Sequence, residues 1–304
     1  MDIQYDVIII GAGPAGMSGA LYASRSGLKT LMLEVSAPGG KLIKTFNIEN
    51  YPGIKNSSGV DLAMQMFEHS TTFGATYAYG DVKELIDHGS YKEVVCADKS
   101  YTSKAVIIAS GTREKSMGLQ DEEKFVGRGI SYCAVCDGAL YRDKDVAVIG
   151  GGNSALEEAL YLTQFVNKLY LVIRRDVFRA DQIIQDKIAT NSKIEVIVKH
   201  VPKRLLTDDK VLGLVLENVD TKEEKVLDVA GIFPYIGALP NTDFVKNLDI
   251  LDRNGYVITD EHMKTKIDGI YGAGDVIVKG LRQVVTASND GAVAAQSIYH
   301  YLKG

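Results

Sequence analysis

The sequence predicts an α/β chain in which one unit, a strand, a glycine-rich turn, a helix and a second strand, occurs twice. Three observations carry this expectation: two β-branched apolar runs, a glycine cluster that closes each run, and a helical stretch after each cluster. With 304 residues, 46% of them hydrophobic and 24% charged, the chain has room for two cores, and disordered, collagen-like and coiled-coil architectures are excluded.

The first unit opens with Tyr5-Asp6-Val7-Ile8-Ile9-Ile10, a run of the kind that forms a strand buried on both faces. It ends in Gly11-Ala12-Gly13-Pro14-Ala15-Gly16, a GxGxxG turn. In such a turn Gly11 allows the tight bend, Gly13 admits a pyrophosphate to the backbone amides, and Gly16 lets the helix close on the strand. Residues 15–26 carry Gly16, Gly19, Ala20 and Ala23 on a helical period, so this helix can lie close on a sheet. Lys29-Thr30-Leu31-Met32-Leu33-Glu34 then forms a strand whose final acid would accept hydrogen bonds from an adenosine ribose.

The second unit repeats this grammar. Asp145-Val146-Ala147-Val148-Ile149 runs into Gly150-Gly151-Gly152-Asn153-Ser154-Ala155, a GxGxxA variant, and a helix follows over 154–166. The next strand, Lys168-Leu169-Tyr170-Leu171-Val172-Ile173, ends at Arg174 and Arg175, with Arg179 nearby, where the first unit has Glu34. Guanidinium groups bind phosphate in bidentate fashion, so this end suits the 2′-phosphate of NADPH over NADH. One unit with an acid and one with arginines imply two different nucleotides, FAD with NADPH.

The remaining segments fill in around these units. A helix is expected over 60–73 and another over 286–302, with strands around 105–109, 194–198, 212–219, 232–237 and 269–275. Cys96, in the strand-like Glu93-Val94-Val95-Cys96, reads as a core residue. The charge clusters Asp121-Glu122-Glu123-Lys124 and Lys222-Glu223-Glu224-Lys225 read as solvated loops.

Three cysteines are too few for a disulfide framework or a four-thiolate zinc site, and the five histidines are scattered away from ligand spacing. No metal is expected. Cys133-Ala134-Val135-Cys136 therefore reads as a redox-active pair. It lies just before Gly150, so the NADPH site and the disulfide share one domain and compete for one flavin. That domain would swivel between two poses on hinges at 112–117 and 238–243. Asp137 could supply a proton to a leaving thiolate, or simply be an acid at a helix start. The net charge of −5 offers no basic footprint for nucleic acid or an anionic membrane. No apolar run reaches the ~18 residues of a membrane span, and the acidic start Met1-Asp2-Ile3-Gln4-Tyr5-Asp6 is unlike a signal peptide, so a cytoplasmic protein is expected.

Together these residues resemble the low-molecular-weight, bacterial-type thioredoxin reductases over essentially the whole chain. The family's flavin-side loop is seen as Gly39-Gly40-Lys41-Leu42 with Glu49-Asn50-Tyr51-Pro52-Gly53, and its ATG-type element as Ala109-Ser110-Gly111. Its redox signature stands at 127–138, and its C-terminal flavin signature as Gly274-Asp275 with Arg282-Gln283-Val284. The resemblance implies that Cys136 lies against the flavin, that Cys133 exchanges with the partner disulfide, and that Asp137 donates the proton. It implies flavin contacts from Asn50, Asp275 and the 282–284 segment, and a homodimer. Three positions depart from the family: Lys41 stands where glutamine is common, Ile173 where histidine is usual, and Ser110 where threonine is.

The expected fold is thus α/β with two Rossmann-like dinucleotide-binding domains. The FAD domain is discontinuous, 1–113 and 244–304, with the NADPH and disulfide domain, 114–243, inserted. Electrons would pass from NADPH through FAD and Cys133–Cys136 to thioredoxin or a thioredoxin-like protein. Two competing readings keep the flavin and disulfide: a relay fed by ferredoxin or another donor, and a redox sensor without turnover.

Overall fold

The computed structural model describes residues 3–45 and 48–304. The chain divides into two compact units, one formed by Met1–Arg113 with Leu239–Gly304 and the other by Glu114–Ala238.

The elements run in the order β1 (Tyr5–Ile10), α1 (Pro14–Arg25), β2 (Thr30–Glu34), α2 (Gly59–Thr71), β3 (Thr76–Tyr79), β4 (Val82–Asp87), β5 (Lys92–Cys96), β6 (Ser100–Ile108) and β7 (Thr112–Glu114). Then come α3 (Ala134–Asp137), β8 (Asp145–Ile149), α4 (Asn153–Leu162), β9 (Lys168–Val172), α5 (Gln182–Ala189), β10 (Ile194–Ile197), β11 (His200–Thr207), β12 (Val211–Asn218), β13 (Glu224–Leu227), β14 (Gly231–Pro234) and β15 (Ala238–Pro240). β16 (Ile270–Gly272) and α6 (Val284–Lys303) close the chain.

In the first unit β3, β2, β1, β6 and β16 pair in parallel, and the β4–β5 hairpin adds antiparallel to the start of β6. Val7, Ile8 and Ile9 of β1 are fully buried, as a parallel strand covered on both faces requires. One core cluster joins α1, α2 and α6 to the sheet, and a second lies on the opposite face, where Phe244, Val245, Ile250 and Val257 pack.

In the second unit β10, β9, β8 and β14 form a parallel sheet, with α4 and α5 contributing to the core on one face. The antiparallel β11–β12–β13 sheet contributes to the core on the other. Helix periodicity located α4 and α6 to within a few residues. The antiparallel partners of these sheets were harder to read, because strands exposed on one face carry weak patterns.

The return crossing at Ala238/Leu239 comes five residues before the expected 243/244 boundary. Long-range hydrogen bonds decide it. Asn241 donates its N–H to Gly111 O at 3.0 Å and its Nδ2 to Ser110 O at 3.0 Å, while Ser110 Oγ donates back to Asn241 O at 2.7 Å. These residues therefore pack as part of the first unit.

The cluster at 121–124 is solvated, as its charge suggested, at Asp121, Glu123 and Lys124 but not at Glu122. Glu122 is 4% exposed, and its carboxylate accepts Met117 N–H, Leu119 N–H and the Tyr132 hydroxyl at 2.9, 3.1 and 2.8 Å. A buried carboxylate is tolerated where several donors replace its water.

Candidate active site

The first glycine turn is built by exclusion. Gly11 has φ +110°, and a Cβ there would sit 2.3 Å from Ala109 O. A Cβ at Gly16 would sit 1.8 Å from Gly11 O, so only glycine lets α1 close on β1. Gly13 caps α1 without a side-chain hydrogen bond, and no acid occupies the first turn. The helix thus begins with amides that no side chain caps. Gly40 meets Gly13 across the turn, where a Cβ would lie 3.2 Å from Gly13 Cα, which leaves a floor of bare backbone. Glu34 ends β2 at this floor. Its Oε2 accepts Ala12 N–H at 2.9 Å, and its Oε1 accepts the N–H groups of Val35 and Ser36 at 2.9 and 3.0 Å. The acid is held in place by backbone donors.

The structure brings together distant residues that the resemblance assigns to the flavin side. Asn50 Nδ2 donates to Gln283 Oε1 at 3.1 Å, and Gln283 caps α6. Arg282 donates to Asp275 O and Ile277 O, each at 3.2 Å, and stands 4.5 Å over the Tyr256 ring. Burial raises the Asp275 pKa against the opposing pull of Lys41, Lys279 and Arg282. Lys41, where glutamine is common, therefore acts on the carboxylate that the resemblance assigns to the ribityl chain. The Leu42 side chain is buried in the core, so it can offer a ligand only its backbone. Ala15 and Ala109 are buried, Val284 packs on the core's edge, and Gly111 and Gly274 take left-handed φ of +63° and +82°.

A further brace carried no sequence signal. Asp290 is 5% exposed and accepts Gly274 N–H at 3.0 Å and Lys279 Nζ at 2.5 Å. Asp290→Ala leaves a buried ammonium and an amide without their acceptor. It is expected to destabilise the chain by about 3 kcal/mol, read by chemical denaturation.

The second turn has the same design. Gly150 has φ +141°, and a Cβ there would lie 2.3 Å from Tyr235 O. Gly152 caps α4 without a side-chain hydrogen bond, and a Cβ on it would meet nothing within 4 Å. Asn153 pins the turn to Asp181, donating from Nδ2 to Asp181 Oδ2 at 2.9 Å and accepting Asp181 N–H at 2.7 Å. Arg179 N–H donates to Gly151 O at 2.7 Å, which folds its loop back onto the turn. Arg174, Arg175 and Arg179 are exposed, as is Ser154, while Ala155 is buried. Ile173 is buried and backs Gly151, so this position fills space where a histidine would add a donor.

Cys133 and Cys136 form a disulfide at the single turn α3. Cys136 N–H donates to Cys133 Sγ at 3.1 Å. Cys133 is 9% exposed and Cys136 is exposed. Ser131, which sequence reasoning passed over, accepts Cys133 N–H at 3.1 Å and donates to Asp137 Oδ2 at 2.7 Å. Asp137 ends α3 and reaches the pair through this hydroxyl. Tyr235 was also missed. Its hydroxyl accepts Ala134 N–H at 3.2 Å, and burial, with Glu158 close by, raises its pKa. Glu158 on α4 is half-buried with its Oε2 out of solvent, and desolvation together with Glu157 pushes its pKa up to about 8. The folded chain therefore keeps a proton that the unfolded chain releases near pH 4.5, and this group's contribution to stability falls as pH rises from there to about 8. Nothing local in the sequence marks these residues, because their roles come from burial.

Comparison with known proteins agrees with this geometry. A family model described as pyridine nucleotide-disulphide oxidoreductase matches residues 5–291. The thioredoxin reductase of Bacillus subtilis (strain 168) is 47% identical, over 98% of this chain and 95% of its own length. A crystal structure of Lactococcus lactis thioredoxin reductase superposes with a TM-score of 0.97 at 46% identity, covering 99% of both chains. That of T. acidophilum thioredoxin reductase gives 0.94 at 32% identity, again over 99% of both. With two glycine turns, an arginine-ended strand and a CxxC disulfide in this order, the chain belongs to the pyridine nucleotide-disulphide oxidoreductases and, within them, to the low-molecular-weight thioredoxin reductases.

Proposed function

We propose that this chain is an NADPH-dependent thioredoxin-disulfide reductase whose first unit holds FAD and whose second unit holds both NADPH and the redox disulfide. The observation that carries the reading is that one compact unit contains Cys133–Cys136 and an arginine-ended dinucleotide turn. The residues present suit a flavin dinucleotide. Bare backbone at Gly13 and Gly40 leaves space for a pyrophosphate, Glu34 is fixed for a ribose, and Asp275 is half-buried with a raised pKa beside three cations. When bound, FAD supplies the two-electron relay between nicotinamide and sulfur. Asn50, Lys41, Asp275 and the Arg282-Gln283-Val284 segment would hold its ring and ribityl chain, and Ala109 and Gly111 would border it.

The second unit's residues divide the remaining work. Gly150, Gly152, Asn153, Ser154 and Ala155 would seat the NADPH pyrophosphate, and Arg174, Arg175 and Arg179 its 2′-phosphate. The disulfide accepts two electrons and one proton and becomes a thiol and a thiolate. Cys133 then exchanges with the thioredoxin disulfide, Cys136 resolves the mixed disulfide, and Asp137 with Ser131 supplies the proton to the leaving thiolate. The intact second turn and its arginines favour NADPH over ferredoxin as donor. The chain works as a homodimer in the cytoplasm. No described helix is long and apolar enough to cross a membrane.

An anaerobic titration of the FAD-loaded protein with NADPH, followed by oxidised thioredoxin, tests the reading. Flavin that stays oxidised with stoichiometric NADPH, or reduced flavin that thioredoxin does not reoxidise, overturns it. The double variant Arg174→Ala, Arg175→Ala is expected to lower kcat/KM for NADPH on the order of 10²-fold and leave that for NADH nearly unchanged. Steady-state kinetics with both nucleotides checks this.

A further inference from the structure

We propose that Glu158 is a positioning residue for the Cys133–Cys136 pair, acting through Tyr235 on the amide that opens α3. The inference rests on the reductase reading above. α4, which carries Glu158, starts at the second dinucleotide turn and packs against α3, which carries the cysteines. Glu158 Oε2 is buried without a hydrogen-bond partner among the described residues. A buried carboxyl oxygen left unpaired is costly, so its retention calls for an explanation.

The groups around Glu158 are acids and phenols. Glu157 and Tyr161 share its helix, and Tyr235 faces it from the segment after β14. Beyond Tyr235 lie Asp137 of α3 and Glu114. α5, packed on α4, contributes Ile184 and Ile188 to this core and also carries Lys187. Burial and the neighbouring Glu157 charge both favour a carboxyl that retains its proton at neutral pH. The Tyr235 hydroxyl uses a lone pair to accept Ala134 N–H, so its own proton is free to seek an oxygen.

These contacts make the charge of Glu158 matter to the cysteines. When the disulfide takes up two electrons and one proton, the product carries one negative charge as a thiolate. A neutral Glu158 leaves that charge unopposed. An ionised Glu158 adds a second negative charge to this half-buried junction and draws the Tyr235 proton toward itself. Sulfur chemistry should therefore weaken as Glu158 ionises, above about pH 8.

The test uses the full-length, FAD-loaded protein as wild type, Glu158→Gln, Glu158→Asp and Tyr235→Phe. Anaerobic bleaching by NADPH comes first. Its failure in the wild type removes the reductase reading itself. With bleaching present, thioredoxin turnover is followed from about pH 6 to about pH 10. The wild type is expected to lose about tenfold on the alkaline side, Glu158→Gln to lose that limb, Glu158→Asp to restore one, and Tyr235→Phe to flatten it. Infrared difference spectra at neutral pH should show a protonated carboxyl band that Glu158→Gln removes. An alkaline limb identical in wild type and Glu158→Gln overturns the proposal, as does a wild type without one.

Discussion

Cys136→Ser is expected to lower thioredoxin turnover by at least about 10³-fold while NADPH still bleaches the flavin under anaerobic conditions. The bleaching needs only the two nucleotide sites. The sulfur step needs both thiols, since a serine hydroxyl neither forms a disulfide nor resolves one. Cys133 remains as a free thiol in this variant, and mixed with oxidised thioredoxin it should accumulate as a mixed disulfide that mass spectrometry detects and dithiothreitol releases. Cys133 is the less exposed of the two residues, so this attack requires the α3 turn to present it. Turnover within tenfold of wild type would sink the assignment of the disulfide as the electron carrier. A mixed disulfide that forms only in Cys133→Ser would exchange the roles of the two cysteines.

The second large effect is expected at the first glycine turn, where two glycines one helical step apart should fail differently. In Gly16→Ala the new methyl lies 1.8 Å from Gly11 O, a backbone atom, so β1 and α1 must separate. A loss of about 3 kcal/mol or more and a colourless protein are expected. In Gly13→Ala the nearest atom to the new methyl is Gly40 Cα at 4.0 Å, and the backbone is in the extended region that alanine accepts. This variant should fold with unchanged circular dichroism, yet bind FAD on the order of 10²-fold more weakly, because the methyl enters the space proposed for the pyrophosphate. Fluorescence titration with FAD against thermal melting separates the two outcomes. Normal FAD affinity in Gly13→Ala would place the dinucleotide elsewhere.

Much of the site is local and could be read from the chain in order. Both glycine turns, the acid ending β2, the arginines after β9 and the CxxC pair each depend on a few neighbouring residues. Their turn chemistry, strand ends and helix starts are set by backbone sterics that each segment carries within itself. The same locality made Ile173 visible as a departure, although only the structure shows it backing Gly151.

Other features depend on residues far apart along the chain. Glu122 sits in a run of four charges and reads as solvent-facing, but two amides and the Tyr132 hydroxyl replace its water. The pairing of Asn50 with Gln283, the brace of Asp290 with Lys279, and the return of Asn241 onto Ser110 and Gly111 join segments whose spacing carries no periodic signal. The sequence by itself determined the two glycine turns, the CxxC pair and the order of the units, because hydrophobic period and turn geometry are short-range properties. The tertiary structure alone decided which polar groups are buried, which of them are satisfied, and which, like Glu158, are left holding a proton, because burial depends on every segment that packs around a residue.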